Sequence, residues 1–179
     1  KKKLNINNKI LITSGGGDRK NFLYKIAKIF LNNFGKKFYL YIVIGKGVKK
    51  NNKIFRLRAH KNINFVMHTN RIKKFFDKST FCVTSGGNVM FEAISSGRTT
   101  FVAETYQNQS YAIKHFKRKK LIYYIGKANS IKKNVILKNL NKLKGNIVKL
   151  KKNYKKNTSA IDGKGYLRVL KIMKNYLDN

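Results

Sequence analysis

Short apolar runs alternate along this chain with longer stretches in which apolar residues recur at every third or fourth position. The runs read as buried strands and the stretches as amphipathic helices. Residues 9–14 make the first strand, followed by a turn of glycines at 15–17. Asp18 is then placed to cap a helix reaching about Phe34, with Phe22, Leu23, Ile26, Ile29 and Phe30 on one side. Further strands are expected at residues 38–44, 63–67, 80–84, 99–103 and 121–125. Between them fall short helices near 50–60 and at 72–77, a helix opening after Gly87, and helices at about 108–118 and 131–143. A final helix over 162–177 offers Leu167, Leu170, Ile172 and Met173 for packing, while residues 144–157 are too rich in Lys and Asn to show a period. Strands this short and apolar, each returning through a helix, predict an α/β fold: a doubly wound parallel sheet of about six strands, Rossmann-like, covered on both faces. In such sheets ligands bind outside the carboxyl ends of the strands, where the glycine turns at 15–17 and 86–87 both fall.

At 179 residues the chain is read as one domain, with no internal repeat and no low-complexity linker. Its formal net charge of +36 would ordinarily suggest nucleic acid or an anionic membrane. The excess, however, is spread along the whole chain beside abundant Asn, Ile, Phe and Tyr, and Pro and Trp are absent. Those abundant residues have codons rich in A and T, so much of the lysine reads as coding bias on solvated faces. A nucleic-acid reader needs exposed aromatics among its cations, whereas Phe22, Phe38, Phe65, Phe81 and Phe91 fall on expected core faces. The expectation is no specific nucleic acid, with a weak contact to an anionic membrane surface left open.

Cys82, the single cysteine, lies inside an expected strand, which excludes an intramolecular disulfide and suits a reducing, cytoplasmic compartment. His60, His68 and His115 have no metal-ligand spacing, so neither metal nor cofactor is expected. No apolar run is long enough to cross a bilayer, and Lys1-Lys2-Lys3 has no apolar core behind it to make a signal peptide. The chain has no initiator methionine and enters a strand within a few residues, so a fragment lacking an upstream part is expected.

The stretch with the most chemistry is Thr84-Ser85-Gly86-Gly87-Asn88-Val89-Met90-Phe91-Glu92. Two glycines sit where a strand gives way to a helix, so backbone can approach an anion and the free amides of the first helical turn point at it. Glu92 follows Gly87 by five residues, a little over one turn into the helix, where a carboxylate can accept from both hydroxyls of a ribose. Each of these residues also has a plainer reading. Gly86-Gly87 would serve as a tight turn, Glu92 as a solvated helix residue and His68 as a loop residue. Asp18 and the Asn108-Gln109 pair would cap helices, and Lys164 and Arg168 would be solvated charge.

Four segments together resemble a known family: Ile10-Leu11-Ile12-Thr13-Ser14-Gly15-Gly16-Gly17-Asp18, Ser85-Gly86-Gly87-Asn88-Val89-Met90-Phe91-Glu92, Asn108-Gln109, and Ile161-Asp162-Gly163-Lys164-Gly165 with Arg168. They span nearly the whole chain and resemble the C-terminal nucleotide-binding half of GT-B enzymes of the glycosyltransferase family 28 type. The Asp-Gly-Lys-Gly tail tips the resemblance toward the UDP-sugar hydrolases of pseudaminic acid biosynthesis. The resemblance implies a UDP-sugar substrate, with the diphosphate on Gly86, Gly87 and Asn88, the ribose on Glu92, and Ser85 among the substrate-binding residues. It further implies that Gly15 and Gly16 line the crevice facing an N-terminal half, that Asn108 and Gln109 reach the sugar, and that the backbone at Met67 and His68 holds uracil. It places the catalytic base in the N-terminal half and no catalytic residue here. A glycosyltransferase passing a hexosamine from a UDP-sugar to a lipid or glycan acceptor fits the same motifs. The chain departs from the family pattern at Asn88-Val89, where Ser or Thr is usual and a hydroxyl contact to phosphate is lost. It departs also at Gly97-Arg98-Thr99, where Gly-x-Pro is usual, and at Ser79-Thr80, where Ala-Asp is frequent.

Overall fold

A computed structural model describes Leu4 and residues 6–177. Seven strands, β1 (Lys9–Thr13), β2 (Tyr39–Ile44), β3 (Ile63–Met67), β4 (Phe81–Ser85), β5 (Thr99–Glu104), β6 (Ile122–Lys127) and β7 (Ser130–Ile131), form one sheet. Its order is β3-β2-β1-β4-β5-β6-β7, parallel throughout except for β7, which runs antiparallel to β6. The helices are α1 (Phe22–Phe34), α2 (Lys73–Lys78), α3 (Asn88–Ser95), α4 (Ser110–Arg118), α5 (Lys133–Leu143), α6 (Ile147–Ala160) and α7 (Gly165–Leu177).

Alternation along β1 shows why the sheet is covered twice. Ile10 and Ile12 point into a core shared with Phe22, Leu23, Ile26 and Phe30 of α1, while Leu11 points to the other face beside Phe76, Cys82 and Ala93. The chain runs outward from β1 through β2 to β3, then returns to β4 on the other flank of β1. The order therefore reverses between β1 and β4, and the turns after these two strands diverge to leave a crevice.

The expected six parallel strands are all present, and a seventh was missed. β7 is a two-residue strand closed by Gly126 at φ +96° and is too short to leave a periodic signal. The lysine-rich stretch that showed no period is α6, held by buried Leu150 and Asn157. Two expectations fail. Leu167, Leu170, Ile172 and Met173 do not pack, because every residue from 162 to 177 is exposed. Phe91 is exposed at the rim of α3, edge-on to Phe116 at 5.4 Å, and Phe65 is only half-buried.

The amino edge of the sheet is sealed. Gly97 ends α3 at φ +73°, with its amide on the carbonyl of Ile94. The next residue, Arg98, is fully buried, donating from Nε to the carbonyl of Ser96 and from Nη1 to that of Ser79, both at 2.9 Å. Its guanidinium lies 5.7 Å from the Tyr154 ring of α6, and Asn157 on the same helix donates to the Arg98 carbonyl at 2.8 Å. Burial draws the Arg98 pKa down, against the attraction of Asp77 and Tyr154. Arg98 is thus the bolt between α6 and the sheet.

Candidate functional site

The carboxyl edge is built differently, because Gly45 and Gly86 directly follow β2 and β4, Gly15 follows β1 after Ser14, and the turns they make stay thin. Gly15 adopts φ +79°, and a Cβ on it would stand 3.6 Å from Val89 of α3. Gly45, after β2, is tighter: a Cβ there would fall 2.0 Å from the Gly15 carbonyl oxygen. Gly47 donates its amide to the Gly16 carbonyl at 2.8 Å, so the turns after β1 and β2 are laced together. Ser85 ties the turn after β4 to them by donating its hydroxyl to the Ser14 carbonyl at 3.1 Å.

These turns and α3 enclose two hollows. The first, of about 270 Å³, is lined among others by Thr13, Gly15, Gly16, Gly45, His68 and Glu92. The second, of about 480 Å³, is lined by Gly86, Gly87, Asn88, Phe91, Asn108 and Gln109, with Tyr106 and Ala112. Helix α3 separates them, presenting Val89 and Glu92 to the first and Asn88 and Phe91 to the second, each pair three residues apart on one helical face. Gly87 is the N-cap of α3 and no side chain caps the helix, so first-turn amides remain for an anion. The Glu92 carboxylate has no hydrogen-bonding partner among the described residues, and partial burial raises its pKa from the ordinary value. It is an acceptor held ready beside the hollow rather than a member of an internal ion pair.

Of the residues singled out from sequence, Gly15, Gly16, His68 and Glu92 meet in the first hollow and Gly86, Gly87, Asn88, Asn108 and Gln109 in the second. His68 holds φ +47°, its amide donates to the Ile44 carbonyl at 3.1 Å, and the residue lines the first hollow. Met67 is exposed and lines neither hollow. Ser85 is nearly fully buried and its hydroxyl, donating to the Ser14 carbonyl, ties two turns. Gly86 is buried because a Cβ would meet Ile113 at 2.5 Å, so that position is required by packing against α4. Gln109 is shared: its Oε1 accepts from the amide and hydroxyl of Thr105 at 3.0 and 3.1 Å, while its Nε2 lies 3.6 Å from where a Gly87 Cβ would be. Asp18 is no simple helix cap, since a 3-10 turn at Arg19–Asn21 precedes α1. Its two oxygens accept from the Leu23 amide and the Asn52 side chain at 3.0 Å each, and burial nevertheless raises its pKa. Lys164 and Arg168 stay with Asp162 on the exposed loop before α7 and reach no hollow.

Sequence reasoning missed Gly45, whose signal was its place in Gly45-Lys46-Gly47 after a strand, and Tyr106, which had none. Tyr106 borders three hollows along this edge, and the Arg19 guanidinium stacks 4.8 Å from its ring, closing the space between the loops after β1 and β5. Among the described residues no group of three His, Cys, Asp or Glu could hold a metal ion. None of the described helices is long and apolar enough to cross a membrane.

No protein-family model and no curated protein matches the chain. Solved structures do. The calicheamicin glycosyltransferase CalG4 matches at a TM-score of 0.65 and 12% identity over 97% of this chain and 43% of its own. MnaA of S. aureus, solved with UDP, matches at 0.62 and 19% identity over 96% and 47%. The UDP-GlcNAc 2-epimerase of Neisseria meningitidis, solved with UDP-GlcNAc, matches at 0.58 and 18% identity over 94% and 45%. The chain spans less than half the length of each. At these identities the likeness is one of fold: the chain is a Rossmann-like α/β domain of the GT-B type.

Proposed function

We propose that this chain is the nucleotide-binding domain of an enzyme acting on a UDP-activated amino sugar. The observation that carries the reading is that an unpartnered carboxylate, Glu92, and an uncapped helix start at Gly87 lie one turn apart on α3, between two hollows at the switch point of the sheet. In this reading the first hollow takes the nucleoside, with uracil along the His68 backbone and ribose hydroxyls on Glu92. The diphosphate crosses the N-terminus of α3 at Gly87 and Asn88, and the sugar extends toward Asn108 and Gln109. The domain supplies orientation and charge stabilisation for the departing diphosphate, while the base comes from an N-terminal half. The hydrolase reading, in which water displaces UDP from a diacetamido-trideoxy sugar, rests on the Asp162-Gly163-Lys164-Gly165 segment. The glycosyltransferase reading fits the same motifs equally well and has the fold likeness to CalG4 beside it. Both readings use the same nucleotide contacts.

Isothermal titration with UDP, uridine and GDP tests the common part. Preference for UDP over both is the expected result. Equal or absent binding by a demonstrably folded chain would refute the assignment of this crevice.

A further inference from the structure

Charged side chains line three of the hollows along the carboxyl edge, among them Arg19 and Lys127 in one, Lys49 and Lys53 in another, and Lys46 and Glu92 in the first hollow. The second hollow differs. None of the described residues lining it carries a charge, in a chain with 42 lysines and arginines. Its wall is made instead of two rings, Phe91 and Tyr106, and three side-chain amides, Asn88, Asn108 and Gln109. The rings are 36% and 48% exposed, and each is held from behind. Phe116 stands edge-on to Phe91 at 5.4 Å, and the Arg19 guanidinium lies 4.8 Å from the Tyr106 ring. The Gln109 amide is oriented as well, because its Oε1 accepts from the amide and hydroxyl of Thr105 and from the Tyr106 amide, which leaves its Nε2 donors toward Gly87. The side-chain amides of Asn88 and Asn108 have no partner among the described residues.

We propose that Phe91 and Tyr106 read the sugar of the substrate, taking the C–H face of a neutral sugar ring, and that this hollow disfavours a sugar carrying a carboxylate. The inference rests on the nucleotide reading above, which sets the diphosphate at the start of α3 and leaves the sugar here. Hydrogens on the carbons of a sugar ring carry partial positive charge and the face of an aromatic ring is negative, so the two faces attract. The hydroxyl or acylamino groups at the sugar's edge find donors and acceptors in the three amides, which pair with them without a charge. A carboxylate would have to shed its water here with no cation in the wall to replace it. Phe91 and Asn88, three residues apart on α3, present ring and amide from one helical face beside the first-turn amides. Rings already fixed by Phe116 and Arg19 lose little freedom when a ligand arrives.

The test compares UDP-glucose with UDP-glucuronic acid by titration calorimetry on this chain, since the two differ only in an alcohol against a carboxylate at the last carbon. Attraction to a net charge of +36 alone favours the glucuronate. The inference gives the opposite order, with UDP-glucose tighter by about threefold or more. Phe91→Leu and Tyr106→Leu, which keep apolar bulk and remove the ring, should each weaken UDP-glucose by about threefold to tenfold and leave UDP within about twofold. Circular dichroism reports that both remain folded. In proton NMR the sugar-ring resonances should shift upfield on binding the original chain, and each variant should reduce that shift. The inference is overturned if the glucuronate binds more tightly, or if neither variant changes the affinity for UDP-glucose. The second result is the one expected if a segment of an N-terminal half, rather than sugar, covers the rings. Failure of UDP itself to bind refutes the nucleotide reading and this inference together, whereas normal UDP binding with rings indifferent to the sugar refutes the inference alone.

Discussion

At the carboxyl edge of the sheet Gly16 and Gly87 stand beside open hollows while Gly45 and Gly86 are packed, whereas at the amino edge the glycine that ends α3 is pressed against an aromatic ring. A Cβ on Gly97 would lie 2.3 Å from Tyr154, while one on Gly16 would meet nothing within 4 Å. The same contrast holds for polar groups. Arg98 and Asn157 are both buried and bound to carbonyls at the strand starts, but Glu92 at the other edge has no such partner and faces space. The difference teaches that one helix, α3, can serve both purposes, because its N-terminus opens on the crevice and its C-terminus is bolted to α6. Stability and binding should then separate by edge, and substitutions can be chosen to break that separation.

The largest effect is expected from Arg98→Ala. It empties a buried volume and strands the carbonyls of Ser79 and Ser96, at a cost of about 3–5 kcal/mol in a urea melt. Arg98→Met, which refills the space, should lose less. Under conditions where the variant is still folded, its UDP affinity should stay within about twofold of the original. A large affinity loss in folded protein would show that the two edges are coupled.

Glu92→Gln should do the reverse. The amide keeps the size but replaces a charged acceptor with a donor, so UDP affinity should fall roughly tenfold to a hundredfold, corresponding to about 1.5–3 kcal/mol. Pyrophosphate, which has no ribose, should bind both forms alike by titration calorimetry, and the melt should hold or rise slightly, since the amide has no charge to desolvate. The pH dependence follows from the raised pKa of Glu92. Ribose binding needs the ionised carboxylate, so affinity is full above that pKa and declines as pH falls through it, beginning at a higher pH than an ordinary glutamate would give. The Glu92→Gln variant should lose this acid limb. Folding has the opposite sign, since a carboxyl whose pKa is raised by burial contributes stability at low pH that is lost as pH rises through the folded value.

How far the sequence reached follows the same division. Buried parallel strands show as apolar runs because both faces are covered, so Ile10-Leu11-Ile12 and Phe81-Cys82-Val83 announce the sheet. Glycine after a strand announces a turn, and the spacing from Gly87 to Glu92 places both on one helix. What the sequence does not carry is which neighbour a glycine faces. Gly86 and Gly87 look alike in the chain, and only the position of Ile113 on α4, beyond α3 and β5, distinguishes them. The tie made by Ser85 is hidden for the same reason, since its partner Ser14 is 71 residues distant. The packing of α7 was misread because an amphipathic pattern reports that a face seeks cover without saying what covers it. Arg98 drew notice only as the middle residue of Gly97-Arg98-Thr99, because a buried cation has no local signature.

The smallest effects lie within that glycine pair, where the comparison of the two edges can be repeated over a single peptide bond. In Gly86→Ala the methyl meets Cδ1 of Ile113 at 2.5 Å and Cγ1 at 2.7 Å, so the isoleucine must shift. Stability should fall by about 1–2 kcal/mol, with UDP affinity little changed. In Gly87→Ala the nearest atoms, Gln109 Nε2 and Ser85 Oγ, lie at 3.6 and 3.8 Å, ordinary contact distances. Alanine is a poorer N-cap than glycine but restricts the unfolded chain, and these two effects offset to within about 0.5 kcal/mol. Its methyl, however, occupies the approach to the first-turn amides of α3, so UDP and pyrophosphate should both weaken by about threefold to tenfold, unlike the ribose-specific loss at Glu92. If both alanine variants lose stability equally and neither loses pyrophosphate, then Gly87 belongs to the packing as Gly86 does, and the helix start is not where the anion sits.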